Sequence, residues 1–97
     1  MTANATAEKP TLMIVDDEDG PRQSLRILFK DDYQIVMAQS GEEAIELVKQ
    51  QEVDAAVMDI RMTGMSGTET LEHIKAINPT IEVIMLTAYE TIETARQ

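Results

Sequence analysis

The sequence predicts a single α/β domain built on an open, doubly wound parallel sheet with helices on both faces. Three observations predict it. Short continuous apolar runs, of the kind buried on both sides, recur along the chain and alternate with longer stretches of helical spacing. The connections are only a few residues long, as in units that cross from one parallel strand to the next. Acidic and hydroxyl residues gather where the apolar runs end, the rim at which such sheets place their sites.

Taken in order, residues 1–10 are small and polar and read as a flexible N-terminal tail, leaving 11–97 as the domain. Thr11-Leu-Met-Ile-Val15 is the first strand. Asp16-Asp-Glu-Asp-Gly-Pro21 breaks it, and Pro21 suits the first turn of a helix. Leu25, Leu28 and Phe29 are expected on the inner side of that helix, with Arg22, Arg26 and Lys30 on the other. Gln34-Ile-Val-Met-Ala38 is the second strand, and Ser40 with Glu43 signals a capping box opening a helix whose inner face carries Ala44, Ile45 and Val48. Asp54-Ala-Ala-Val-Met58 is the third strand, ended by Asp59. A loop with Gly64 and Gly67 leads to a second cap pair, Ser66 and Glu69, and to a helix expected to bury Leu71, Ile74 and Ile77 before Asn78-Pro79 stops it. Ile81-Glu-Val-Ile-Met-Leu86 is the fourth strand, and Thr91–Gln97 begins a fourth helix.

Composition excludes several classes of function. Ninety-seven residues make one small domain, and 43% hydrophobic residues are enough for one core. Aromatics are only 3%, so the aliphatics and seven methionines must fill it. A formal charge of −10 opposes binding to nucleic acid or an anionic membrane through this segment and suits a cation or a basic partner. Without cysteine there is no disulfide, thiol catalysis or thiolate metal site. No stretch has the apolar length of a membrane span or the pattern of a signal peptide, so a soluble, cytoplasmic protein is expected.

Three strand ends distant in sequence deliver their chemistry to one rim: Asp16 and Asp17 after the first strand, Asp59 after the third, Thr87 after the fourth. Taken singly, the acidic tetrad reads as a solvated turn, and Asp59 and Thr87 as turn or cap residues. Their convergence is what argues for a site. Three carboxylates held together repel one another, and Mg²⁺, which takes hard oxygen ligands, relieves that. With Mg²⁺ held by Asp16, Asp17 and Asp59, a carboxylate oxygen of Asp59 is placed to attack a phosphoryl donor and form an aspartyl phosphate, with Thr87 in reach of a phosphoryl oxygen. His73 lies off its helix's apolar stripe and reads as solvent-facing, and Glu42, Glu43, Glu46 and Lys49 as a wet helix face.

At these residues the chain resembles the receiver domains of two-component response regulators. The matching text is Leu12-Met-Ile-Val-Asp-Asp-Glu18, Val57-Met-Asp-Ile-Arg-Met62 with Gly67, and Ile84-Met-Leu-Thr-Ala88, and the resemblance spans about Thr11 to Gln97. It implies a flavodoxin-like sheet of strand order 2-1-3-4. It also implies Asp59 as the phosphoacceptor, Asp16 and Asp17 as Mg²⁺-binding acids, and the backbone carbonyl of Arg61 as a further metal ligand. Thr87 becomes the switch hydroxyl and Ala88 the small residue that leaves room for the phosphoryl group. The implied partners are a sensor histidine kinase and an output domain or partner protein. The Thr87-Ala88-Tyr89-Glu90 run is similar to receivers attached to sigma-54-type activators.

Two departures from the family stand out. Thr63 occupies the place of the family's usual proline, from which a looser turn is expected. The family continues with a fifth strand, bearing a lysine and an aromatic switch residue, and a fifth helix, whereas this sequence stops at Gln97. An uncovered fourth strand is then expected to offer an open edge to a second copy. The leading function is a phosphoacceptor switch that catalyses its own phosphoryl uptake and loss. The alternative is an unphosphorylated interaction or self-assembly module. An aspartyl-nucleophile phosphatase is disfavoured, because Arg61 stands where such enzymes carry a second Asp.

Overall fold

A computed structural model describes residues 9–86. The tail before Lys9, the helix expected over Thr91–Gln97, and Thr87 and Ala88 lie outside the described residues. Within them, four strands alternate with three helices: β1 (Thr11–Val15), α1 (Asp19–Phe29), β2 (Gln34–Ala38), α2 (Gly41–Gln50), β3 (Ala55–Asp59), α3 (Gly67–Ile77) and β4 (Glu82–Leu86). All strand pairs are parallel, and the order is β2-β1-β3-β4. This is the doubly wound sheet expected from the sequence, with the order reversing between β1 and β3.

Side chains alternate across β1 and divide the core in two. Met13 and Val15 join Ala38, Ala44, Val48, Ala56, Met58 and Ile74 under α2 and α3. Leu12 and Ile14 join Val57 on the other face, where Leu25 and Phe29 of α1 and the following Tyr33 pack on them. The Phe29 and Tyr33 rings meet edge to face, centroids 5.9 Å apart. Met13, Met58 and Met62 are buried, as the shortage of aromatics suggested.

Four boundaries or faces differ from the sequence expectation, the simplest being that β4 begins at Glu82 and not at Ile81. β3 begins at Ala55 and ends on Asp59 itself, while exposed Asp54 ties the sheet's start: its Oδ2 accepts the Thr11 N–H at 2.8 Å. In α1 the inner face is turned from the one expected. Leu28 is 67% exposed, whereas Arg22, expected outside, is buried. Arg22, Leu25 and Phe29 follow the i, i+3, i+7 spacing of one stripe, and the guanidinium is accepted inside because its donors are satisfied, as described below. Ile77 is 39% exposed because α3 ends there, beyond the packed surface.

The caps form where the sequence signals them. Ser40 Oγ accepts the Glu43 N–H at 3.1 Å, while the Glu43 carboxylate reaches back to the Gln39 N–H at 2.6 Å, one residue earlier than a reciprocal box requires. Ser66 Oγ accepts the Glu69 N–H at 3.1 Å. Replacing Ser40 with Ala is expected to cost about 1 kcal/mol, seen in urea melts as a lower midpoint with an unchanged slope. An unchanged midpoint would show that the cap contributes nothing.

Candidate functional site

The site is built by strand register. Val15 of β1 lies opposite Met58 of β3, so the next residues, Asp16 and Asp59, emerge side by side at the carboxyl end of the sheet. Asp17 follows on the β1–α1 turn. One carboxylate oxygen from each of Asp16, Asp17 and Asp59 can be chosen so that all three lie within 4.8 Å of one another. Asp16 is buried, and the other two are half-buried.

Each carboxylate accepts a hydrogen bond from the backbone N–H of another residue. Asp16 Oδ1 accepts the Glu18 N–H at 2.9 Å, and Asp59 Oδ1 accepts the Arg61 N–H at 3.0 Å, each closing a short turn two residues on. Asp17 Oδ2 accepts two bonds from Thr63, one from its N–H and one from its hydroxyl, both at 2.9 Å. The looser turn expected at Thr63 is therefore not what forms. A proline has neither donor, and threonine ties this loop to the β1–α1 turn across 46 residues of sequence.

Beneath the turn, the buried Arg22 donates through Nη1 to the Asp16 carbonyl and through Nη2 to Asp19 Oδ1, each at 2.8 Å. It holds the acidic turn from below and places a positive charge beside it.

The electrostatics of Asp16 and Asp17 run in opposite directions. Burial pushes the Asp16 carboxyl above its ordinary pKa; the Glu18 N–H opposes this, and the charges of Asp59, Asp17 and Glu18 add to it. The Thr63 amide and hydroxyl, and then the Arg22 charge, hold Asp17 below its ordinary value against a smaller desolvation effect. A divalent cation fits this donor set. All donors are hard carboxylate oxygens, and Asp16 is raised by its burial first and then by the like charges gathered beside it.

Two glycines shape the loop that follows β3. Gly64 has φ +83°, a conformation side chains resist. At Gly67 the reason is contact: an added Cβ would lie 2.7 Å from the Asp59 carbonyl oxygen and 2.8 Å from Ile60 Cα. The start of α3 therefore sits directly on the backbone that carries Asp59, and Gly67 N–H donates to the Ile60 carbonyl at 3.1 Å.

Of the sequence-predicted residues, Asp16, Asp17 and Asp59 are brought together, and Arg61 follows on the same loop, two residues after Asp59. Leu86, which pairs with Asp59, immediately precedes Thr87 in sequence. The Ile60 N–H donates to the Leu86 carbonyl at 3.3 Å, linking the ends of β3 and β4. His73 is exposed, as expected. Arg22 and Thr63 escaped the sequence reading: Arg22 had a signal in its i, i+3, i+7 stripe, and Thr63 had none, since its partner lies on another loop.

The family model of the response regulator receiver domain matches residues 12–97. The transcriptional regulatory protein ZraR of Escherichia coli K12 is 38% identical over 91 residues, covering 93% of this chain and 21% of ZraR. This chain thus spans about a fifth of that relative's length. Sporulation initiation phosphotransferase F of Bacillus subtilis is 36% identical over 83 residues, 84% of this chain and 67% of that protein. Among solved structures, the response regulator TrrA of Thermotoga maritima, in complex with Mg²⁺-BeF, superposes with a TM-score of 0.76 at 32% identity over 88% of this chain and 75% of that one. A CheY-like receiver domain from Methanospirillum hungatei gives a TM-score of 0.76 at 32% identity, over 82% and 66% respectively. No helix among the described residues is long and apolar enough to cross a membrane.

Proposed function

We propose the following from the premise that this chain belongs to the response regulator receiver domain family and is a phosphoacceptor signalling module of the two-component type: Asp59 is the residue that takes the phosphoryl group, and Asp16 and Asp17 are the acids that make the transfer possible. The observation that carries this reading is the meeting of the three carboxylates at the reversal of strand order.

The cation implied is Mg²⁺, held by Asp16, Asp17, Asp59 and the Arg61 carbonyl. The Mg²⁺-BeF complex of the similar TrrA domain supports that assignment. When bound, it offsets the negative charge of the carboxylates and of the incoming phosphoryl oxygens. The rest falls to the chain itself. The Arg61 N–H holds the Asp59 carboxylate by Oδ1. A carboxylate oxygen of Asp59 forms a bond to phosphorus as the bond between phosphorus and the donor breaks. For a histidine kinase that bond is P–N, and the imidazole leaves with its electron pair. Attack of water on phosphorus later restores the carboxylate and releases phosphate. Thr87 and Ala88, next to the end of β4, are assigned the switch hydroxyl and the space beside it. An output domain or partner protein reads the changed surface.

The test is intact-mass analysis after incubation with acetyl phosphate and Mg²⁺. The native chain is expected to gain a phosphoryl adduct that is absent with EDTA and absent in Asp59→Asn. An adduct that persists in Asp59→Asn would remove Asp59 from its role.

A second reading rests on β4, which pairs with β3 alone among the described residues and leaves Ile84 58% exposed. A second copy adding to this edge would make the domain an assembly module. Concentration-dependent size exclusion of Asp59→Asn separates this reading from the first.

A further inference from the structure

We propose that Thr63 is a positioning residue of the cation site: it pins Asp17 by one carboxylate oxygen so that the other is presented to the metal. The inference rests on the reading of Asp16, Asp17 and Asp59 as the Mg²⁺-binding acids. Both donors of Thr63 converge on Oδ2 of Asp17, at 2.9 Å each, from a loop that also carries the Arg61 carbonyl two residues earlier. Asp17 is only half-buried, and Thr63 is exposed. An unrestrained carboxylate there would sample several rotamers, each of which the cation would have to select against.

The two bonds act in three ways. They fix the rotamer of Asp17 before the ion arrives, which lowers the entropy lost on binding. They hold Asp17 close to Asp16 and Asp59 although the three carboxylates repel one another. They also draw the β3–α3 loop toward the β1–α1 turn, so the backbone after Asp59 is delivered with the side chains. Pinning through Oδ2 leaves Oδ1, the other lone-pair donor, for the ion.

The contrast with proline sharpens the point. Proline at this position would stiffen the loop through its own ring but could donate nothing to Asp17. This chain achieves rigidity by a cross-loop tie to a proposed ligand, which couples loop geometry to ligand geometry directly.

Isothermal titration of MgCl₂ into the full chain tests this, using Thr63→Ser, Thr63→Ala and Thr63→Pro with melting curves in EDTA alongside. Serine keeps both donors and is expected to bind within about twofold of the native chain. Alanine keeps only the N–H and is expected to bind roughly threefold more weakly, and proline, with neither donor, about tenfold more weakly. Metal-free melting temperatures should fall far less than the affinities do, a split that a purely structural role would not produce. A folded Thr63→Pro chain that binds Mg²⁺ as tightly as the native one, or more tightly, would overturn the inference. If Thr63→Pro fails to fold, equal affinities for Thr63→Ala and Thr63→Ser would overturn it instead. A native chain that binds no Mg²⁺ would overturn the reading of the site and this inference with it, whereas native binding insensitive to Thr63 would sink the inference alone.

Discussion

Asp16→Asn is expected to make the metal-free chain more stable at pH 7 while weakening Mg²⁺ binding by about 100-fold. The two effects have one origin. Asp16 is buried beside Asp59 and Asp17, and burial first, then those charges, raise its pKa in the folded state. A carboxyl raised on folding contributes stability that is fully present below its unfolded pKa and is lost as pH rises through the folded value. Above that folded value the ionised Asp16 therefore opposes folding. Asparagine removes the charge and keeps an oxygen for the Glu18 N–H that Asp16 Oδ1 now accepts. A gain on the order of 1 kcal/mol corresponds to a melting temperature raised by about 4–8 °C for a domain of this size. The gain should shrink as pH falls into the carboxylate range, where the native Asp16 takes up its proton. Calorimetry in EDTA at neutral and acidic pH reads this directly, and a variant less stable than the native chain at pH 7 would refute the account. Asp17 runs the other way. Its pKa is lowered, so its contribution is present above its unfolded value and disappears as pH falls through the folded one.

The second large effect is expected at Gly67. Gly67→Ala puts a methyl group 2.7 Å from the Asp59 carbonyl oxygen and 2.8 Å from Ile60 Cα. Both are backbone atoms at the end of a central strand, so neither can swing aside as a side chain would. The third close atom, Met85 Cε at 2.9 Å, is the flexible end of a methionine and yields cheaply. Relief must come from sliding α3 or bending the end of β3, at a cost of roughly 2–3 kcal/mol. That is a large fraction of the stability of a small domain, about 5–10 kcal/mol. Bending the end of β3 displaces Asp59, so Mg²⁺ affinity should fall together with the urea midpoint. A loss below about 0.5 kcal/mol, the size of an ordinary surface change, would show that the helix start is not seated as tightly as the geometry indicates.

How much of this was legible in the sequence divides along a physical line. Strands buried on both faces announce themselves as apolar runs, and β1 and β2 match their runs residue for residue. Parallel pairing then brings the strand ends to one rim, so Asp16, Asp17 and Asp59 were legible as a group. Features that depend on how one loop meets another were not. The tie between Asp17 and Thr63 joins residues 46 apart, and no local pattern signals it. Arg22 is a different kind of miss. Its spacing from Leu25 and Phe29 marked the inner face, but a charged side chain argued for solvent, and only the Asp16 carbonyl and Asp19 carboxylate explain its burial. Leu28 followed from that error, since turning the helix to bury Arg22 turns Leu28 out. β3 begins one residue late because Asp54 is occupied with the Thr11 amide.

The hydrogen bond from the Ile60 amide to the Leu86 carbonyl ties the end of β3 directly to the end of β4. Ile60 follows Asp59 directly, and Leu86 is the residue before Thr87. A tilt of the Asp59–Ile60 peptide plane would strain the bond to the Leu86 carbonyl at once, across a single amide–carbonyl contact and with no helix needing to move first.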